Sequence, residues 1–186
     1  MFQKLTANAR TVLRAASERS AQAGSPGIRA EYLLLPLFDR PDFAAGAALV
    51  TLGLTARRGS VEQALADAAR RGGLSQTDAE ALAGFGIDVS AVVEQAERAH
   101  GEGALAASDG TKDRWRPEYR AFSEEARKVL ARAVQEAKEQ GEKQIGDRHL
   151  LLALAAGPGV VADVLAEHGA GHADIRRALA RGDRAA

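Results

Sequence analysis

The chain says nearly the same thing twice, and that most constrains how it folds. Residues 145–154 read "IGDRHLLLAL" and residues 28–37 read "IRAEYLLLPL". A register of 117 aligns residues 122–154 with 5–37 without a gap. Ala126, Arg127, Val129, Leu130, Ala133 and Gly141 then fall on Ala9, Arg10, Val12, Leu13, Ala16 and Gly24. Leu150, Leu151, Leu152 and Leu154 fall on Leu33, Leu34, Leu35 and Leu37. Further on the register slips by a few residues, in the "FDRPDFAAG" and "AAGPG" stretches, where changing a loop's length costs little. Leu165 and Gly169 then match Leu49 and Gly53, and Ile175 and Leu179 match Val61 and Leu65. A duplicated unit is the economical explanation.

Each unit reads as four short helices. Leu5, Ala9, Val12, Leu13 and Ala16 recur at helical spacing along one face. Gly24 and Gly141 stop that helix, because glycine accepts the left-handed backbone beyond a helix end. The Leu-triplet helix is apolar nearly all round and belongs at the centre of its unit. Asp147 is the expected N-cap of its second copy, while the matching Ala30 is not a capping residue. Third helices end near Gly53 and Gly169. Fourth helices carry Val61 with Leu65, or Ile175 with Leu179. Units of about 60 residues are marginal alone. The fold expected is therefore all-α, one compact domain of two pseudo-twofold four-helix repeats: residues 1–71, and residues 120–186 with a C-terminal tail.

Residues 72–119 form an insert that neither unit explains. "LSQTDAEALAGFG" places Ser75 before Asp78, a capping signal for a short helix. "IDVSAVVEQAERAHG" puts Val89, Val92, Val93 and Ala96 on one face, with Gly101 past the end. "GEGALAASDGTKDRWRPEYR", with Trp115 and Tyr119, reads as a mobile loop or lid.

Several chemistries find no footing. Lys+Arg and Asp+Glu balance at 25 each, so no net field recruits nucleic acid or an anionic membrane. There is no cysteine for a disulfide, a thiolate site or a nucleophile. No phosphate-binding loop with its lysine is present, and no serine–histidine–acid arrangement can be picked out. His168 and His172, with Glu167, have a metal-like spacing, but Gly169 and Gly171 break the helix that would hold both rings together. Glu124 and Glu125 fit a first helical turn. The pairs Arg57/Arg58, Arg70/Arg71 and Arg176/Arg177 are interleaved with acids and read as solvated surface, with a helical DNA-binding regulator kept as an alternative. No apolar leader or membrane span is seen, so the expectation is a cytoplasmic, non-enzymatic protein without cofactor or metal.

The second unit, "FSEEARKVLARAVQEAKEQGEKQIGDRHLLLALAAGPGVVADVLAEHGA", resembles the N-terminal substrate-binding domain of Clp chaperone ATPases, particularly the ClpC type. That family's pattern runs F-[TS]-x-x-A-[RQ]-x-V-L and then I-G-T-E-H-[IL]-L-L-G-L. The resemblance covers both repeats and excludes the insert, and no ATPase module follows within these residues. It implies recognition of adaptors, unfolded segments and arginine-phosphorylated proteins. In the family each repeat supplies a hydroxyl at the start of its first helix and the Glu of G-T-E-H for a phosphoarginine pocket. Carried over, one pocket keeps Thr6 and Glu31. The other keeps Ser123 but has Arg148 in place of the Glu, which leaves it lost or altered towards a simple anion. Plain N-capping explains Thr6 and Ser123 as well, and a solvated helix-start acid explains Glu31. The family also binds cyclomarin-type cyclic peptides through two aromatic anchors, which correspond to Phe2 and Phe122; a core position explains Phe122 too. Two roles follow as expectations: a decoy that spares a ClpC-type ATPase, or an adaptor that delivers cargo to a Clp ATPase through the insert.

Overall fold

A computed structural model of the chain describes residues 4–105 and 121–182. The first repeat is α1 (Ala7–Gln22), α2 (Ala30–Phe38), α3 (Ala44–Thr51) and α4 (Arg58–Arg70), with a 3-10 turn at Thr55–Arg57. The insert contributes α5 (Gln76–Gly84) and α6 (Val89–His100). The second repeat is α7 (Glu124–Glu139), α8 (Asp147–Ala156), α9 (Val160–Glu167) and α10 (His172–Gly182). Among the described residues there is no strand beyond isolated bridges, and the chain is all-α as its periodicity predicts.

The helix stops repeat bond for bond. After α1, Gly24 (φ 63°) is followed by a Ser25 N–H bond to Ser20 O. After α7, Gly141 (φ 71°) is followed by a Glu142 N–H bond to Ala137 O, the same closure 117 residues on. The Leu triplets lie at the centre: Leu33, Leu34, Leu150 and Leu151 are fully buried. They share one apolar cluster with residues from all eight repeat helices. The units interlock. α10 packs on α3 and α4 on α9, so the fourth helix of each repeat covers the third helix of the other, while α2 lies against α8. Neither unit closes its core without its partner.

Two details depart from expectation. The N-cap of α8 is Gly146, not Asp147. The buried Asp147 carboxylate instead reaches across the repeats and accepts the Ala45 N–H (2.8 Å), serving an amide that the first turn of α3 leaves without a helical partner. In the insert Ser75 and Asp78 do form a capping box. α6, however, buries Val89 and Val93 and leaves Val92 half exposed. The insert is a two-helix hairpin covered on one side only. Its buried stripe is therefore too narrow for the whole apolar face. α5 leans on α9 through Thr77 Oγ1 donating to Glu167 (3.1 Å), and α6 on α4 through an Arg70–Glu97 ion pair. Residues 106–120, with Trp115 and Tyr119 of the expected loop or lid, lie outside the described residues.

Candidate functional site

The segments that precede the helices carry the symmetry furthest. Ahead of α1, Leu5 forms a parallel bridge with Ile145, ahead of α8. Ahead of α7, Phe122 forms the same bridge with Ile28, ahead of α2. At the first edge Thr6 N–H donates to Ile145 O (3.0 Å) and Ile145 N–H to Lys4 O (2.7 Å). At the second, Ser123 N–H donates to Ile28 O and Ile28 N–H to Ala121 O, both 2.9 Å. Every residue of one edge is the 117-register partner of a residue of the other. The molecule thus has two pseudo-equivalent edges, each made from both repeats, and each places two helix N-termini side by side.

This regroups the predicted residues. Thr6 and Glu31 are not brought together. The Ser20 hydroxyl donates to Gly27 O (2.8 Å), which starts α2 at the far end of α1, about 20 Å of helix away from Thr6. Thr6 instead shares the first edge with Gly146 and Arg148, and Ser123 shares the second with Arg29 and Glu31. Sequence order suggested pairing within each repeat. The bridges pair across them, a non-local contact that no local motif announces.

At the second edge the buried Ser123 hydroxyl accepts the Ala126 N–H (3.1 Å) and caps α7, whose first turn carries Glu124 and Glu125. Glu31 lies in the first turn of α2, and its carboxylate holds the Arg29 guanidinium at 2.8 Å. At the first edge Thr6 Oγ1 accepts the Ala9 N–H (3.2 Å) and caps α1. Arg148 is ion-paired with Glu142. Beneath that pair lies His149, fully buried, with Nδ1 accepting the Gly146 N–H (2.9 Å). Burial, helped by the neighbouring Arg148 charge, holds its pKa below the ordinary imidazole value. The ring is neutral near pH 7, with its proton on Nε2, 3.6 Å from Glu142.

Phe122 is half-buried against the core cluster, while Phe2 lies outside the described residues. The His168/His172 pair is divided as the glycines predict. His168 contacts Ser60 Oγ (2.9 Å) and Val164 O, whereas His172 faces the buried Glu136 (3.4 Å). No group of three or more potential ligands that could hold a metal occurs among the described residues. The arginine pairs are tied into the fold: Arg57 to Leu52 O, Arg58 to Asp39 and Glu62, Arg70 to Glu97, Arg176 to Glu136 and Arg177 to Asp174. No single helix among the described residues is long and apolar enough to cross a membrane.

No curated protein matches the chain. Residues 121–182, from the second edge to the end of α10, match the model of the Clp repeat (R) N-terminal domain family. Over those residues, a third of its length, the chain is similar to a Clp repeat (R) N-terminal domain.

Proposed function

We propose that the protein is a non-enzymatic module that binds peptide or unfolded-protein segments, and that its second edge receives an arginine-phosphorylated side chain. The observation that carries this reading is the Glu31 carboxylate, in the first turn of α2 at the edge where Ile28 bridges to Phe122 ahead of α7, already holding a guanidinium, that of Arg29. A phosphoarginine has two ends. A carboxylate pairs with its guanidinium, and helix N-terminal amides with their positive dipole take its phosphate. The second edge offers both chemistries. The first edge offers a cation, Arg148, in place of the acid, and repels a guanidinium. Arg29 acts as an internal competitor that an incoming ligand displaces. Such binding would suit a decoy that withholds substrates, adaptors or cyclomarin-type peptides from a ClpC-type ATPase.

Calorimetric titration with a phosphoarginine peptide and its unphosphorylated twin tests this. Wild type binds the phosphorylated form only, Glu31→Gln loses about tenfold or more in affinity, and Arg29→Ala gains several-fold. Equal binding of both peptides, or full affinity in Glu31→Gln, would contradict the reading.

A second reading has its own support. The α5–α6 hairpin exposes Phe85 (84%), Ile87 (46%) and Val92 (51%). Apolar side chains held out on a two-helix arm suit an adaptor that docks through its insert. Deleting residues 72–119 would abolish capture by a Clp ATPase if the protein is an adaptor, and would leave ligand binding intact if it is a decoy.

A further inference from the structure

The two copies differ at one corner, where the second helix of the unit turns into the third. In the first repeat Phe43 is the N-cap of α3, and its ring is buried in the core cluster. The Arg40 guanidinium stacks over it, 4.1 Å from the ring centroid. On α1, Val12 is 1% exposed. In the second repeat the N-cap of α9 is Gly159, and no aromatic ring stands in the Gly157–Gly159 corner. Val129, the register partner of Val12, is only half-buried. A groove of about 290 Å³ opens there between α7 and the α8–α9 corner, floored by Val129, Leu154 and Val161. The chain cannot refill it from Gly159. That residue has φ 142°, a conformation side chains rarely adopt, and a Cβ would come within 2.6 Å of Glu125 Oε1.

From this we infer that the groove is a docking site for an aromatic side chain of a partner polypeptide, flanked there by acidic residues. The first repeat shows which group completes this corner: a phenyl ring with a guanidinium on its face. The second repeat keeps an apolar floor and has a guanidinium at the rim, that of Arg132, which lines the groove while held by the buried Glu136 at 3.4 Å. Lys128 lines the same rim. Its pair with Glu124 is about three-quarters exposed on both sides, so it holds the lysine loosely and lets it turn to an incoming carboxylate. Glu125 lines the groove as well, against the Gly159 backbone. The groove adjoins the second edge through Glu125, in the first turn of α7, but neither Ser123 nor Glu31 lines it, and the inference stands whether or not phosphoarginine binds there.

The test uses fluorescence anisotropy with two fluorescein-labelled dodecapeptides in a Gly/Ser background, one carrying Asp-Phe-Asp and the other Asp-Ala-Asp. Wild type binds the Phe peptide about tenfold or more tightly than the Ala peptide. Ala162→Phe, which fills the groove from α9, removes that preference. The surface variant Lys128→Glu, which leaves the floor and the Arg132–Glu136 pair intact, weakens binding at least several-fold. Glu31→Gln leaves it unchanged. Equal affinity for the two peptides, full binding by either groove variant, or loss of binding in Glu31→Gln would overturn the inference.

Discussion

The first and second repeats tie their first helix to their fourth with opposite charges. In the first, Arg19 on α1 and Arg58 on α4 share Asp39 at the end of α2, and Arg58 also holds Glu62. Partial burial pushes the Asp39 pKa up, but hydrogen bonds from Arg58 and Arg19 outweigh it and hold the carboxyl below its ordinary range. In the second repeat the partner of Arg19 is Glu136, fully buried, surrounded by Arg132, His172 and Arg176. His172 and Arg176 stand where the first repeat has Arg58 and Glu62. The clasp has kept its place, and its first-helix member has reversed sign from Arg19 to Glu136, while the fourth helix keeps a basic residue at Arg58 and His172. What the fold requires there is a complementary pair. The Leu triplets and the glycine stops, which must fill a fixed interior or adopt a fixed backbone, have kept their identity.

If the two cores are one, truncating either should cost the whole molecule. Leu34→Ala and Leu151→Ala are each expected to destabilise by about 2–5 kcal/mol. Thermal melts should keep a single transition in both variants. Two separate transitions, with only one moved by each variant, would show the repeats to be independent.

The reversed clasps should not be equal in strength. Glu136 is buried, so Glu136→Gln leaves several cations without their shared acid and costs about 3 kcal/mol. Arg19 and Asp39 are partly exposed to solvent, so Arg19→Gln costs under about 1 kcal/mol and its effect fades with salt. Urea denaturation of both variants at low and high salt would compare them directly. The cross-repeat bond comes next: Asp147→Ala, which strips the Ala45 N–H of its acceptor, should cost about 1–2 kcal/mol. First-repeat Ala30 makes no such contribution to compare with it.

The smallest expected effect is the pH dependence contributed by His149, which has no counterpart in the first repeat because Tyr32 stands in its place. The folded pKa of His149 is depressed, so below about pH 6.5 the unfolded chain takes up the proton first. The neutral ring's contribution is therefore complete above that pH and is lost as pH falls towards the folded value. His149→Asn keeps an acceptor for the Gly146 N–H without titrating. It should flatten stability between about pH 5 and 6.5, read from urea midpoints.

Much of this molecule could be read from residues alone. Helix count, helix stops and the central Leu triplets follow from local periodicity and from glycine. The capping hydroxyls of Thr6 and Ser123 follow from their place ahead of an apolar face. Two things were out of reach because they depend on contacts distant in sequence. One is the exchange of edges, which sets Ser123 beside Glu31 and Thr6 beside Arg148. The other is the role of Asp147, whose position marks it as a local cap although its bond is to the other repeat. Val92 shares the apolar face of α6 yet stays half exposed, because periodicity gives the width of an apolar face, not how much neighbouring protein there is to cover it.

The claim on which the functional account turns is that the pseudo-equivalent edges are unequal, one fit for a guanidinium and the other closed to it by Arg148. Amide chemical-shift mapping during titration with a phosphoarginine peptide tests it most directly. The account predicts shifts around Ile28, Glu31 and Ser123 at a stoichiometry of one, with Thr6 and Ile145 unmoved. Shifts at both edges, or at neither, would contradict it.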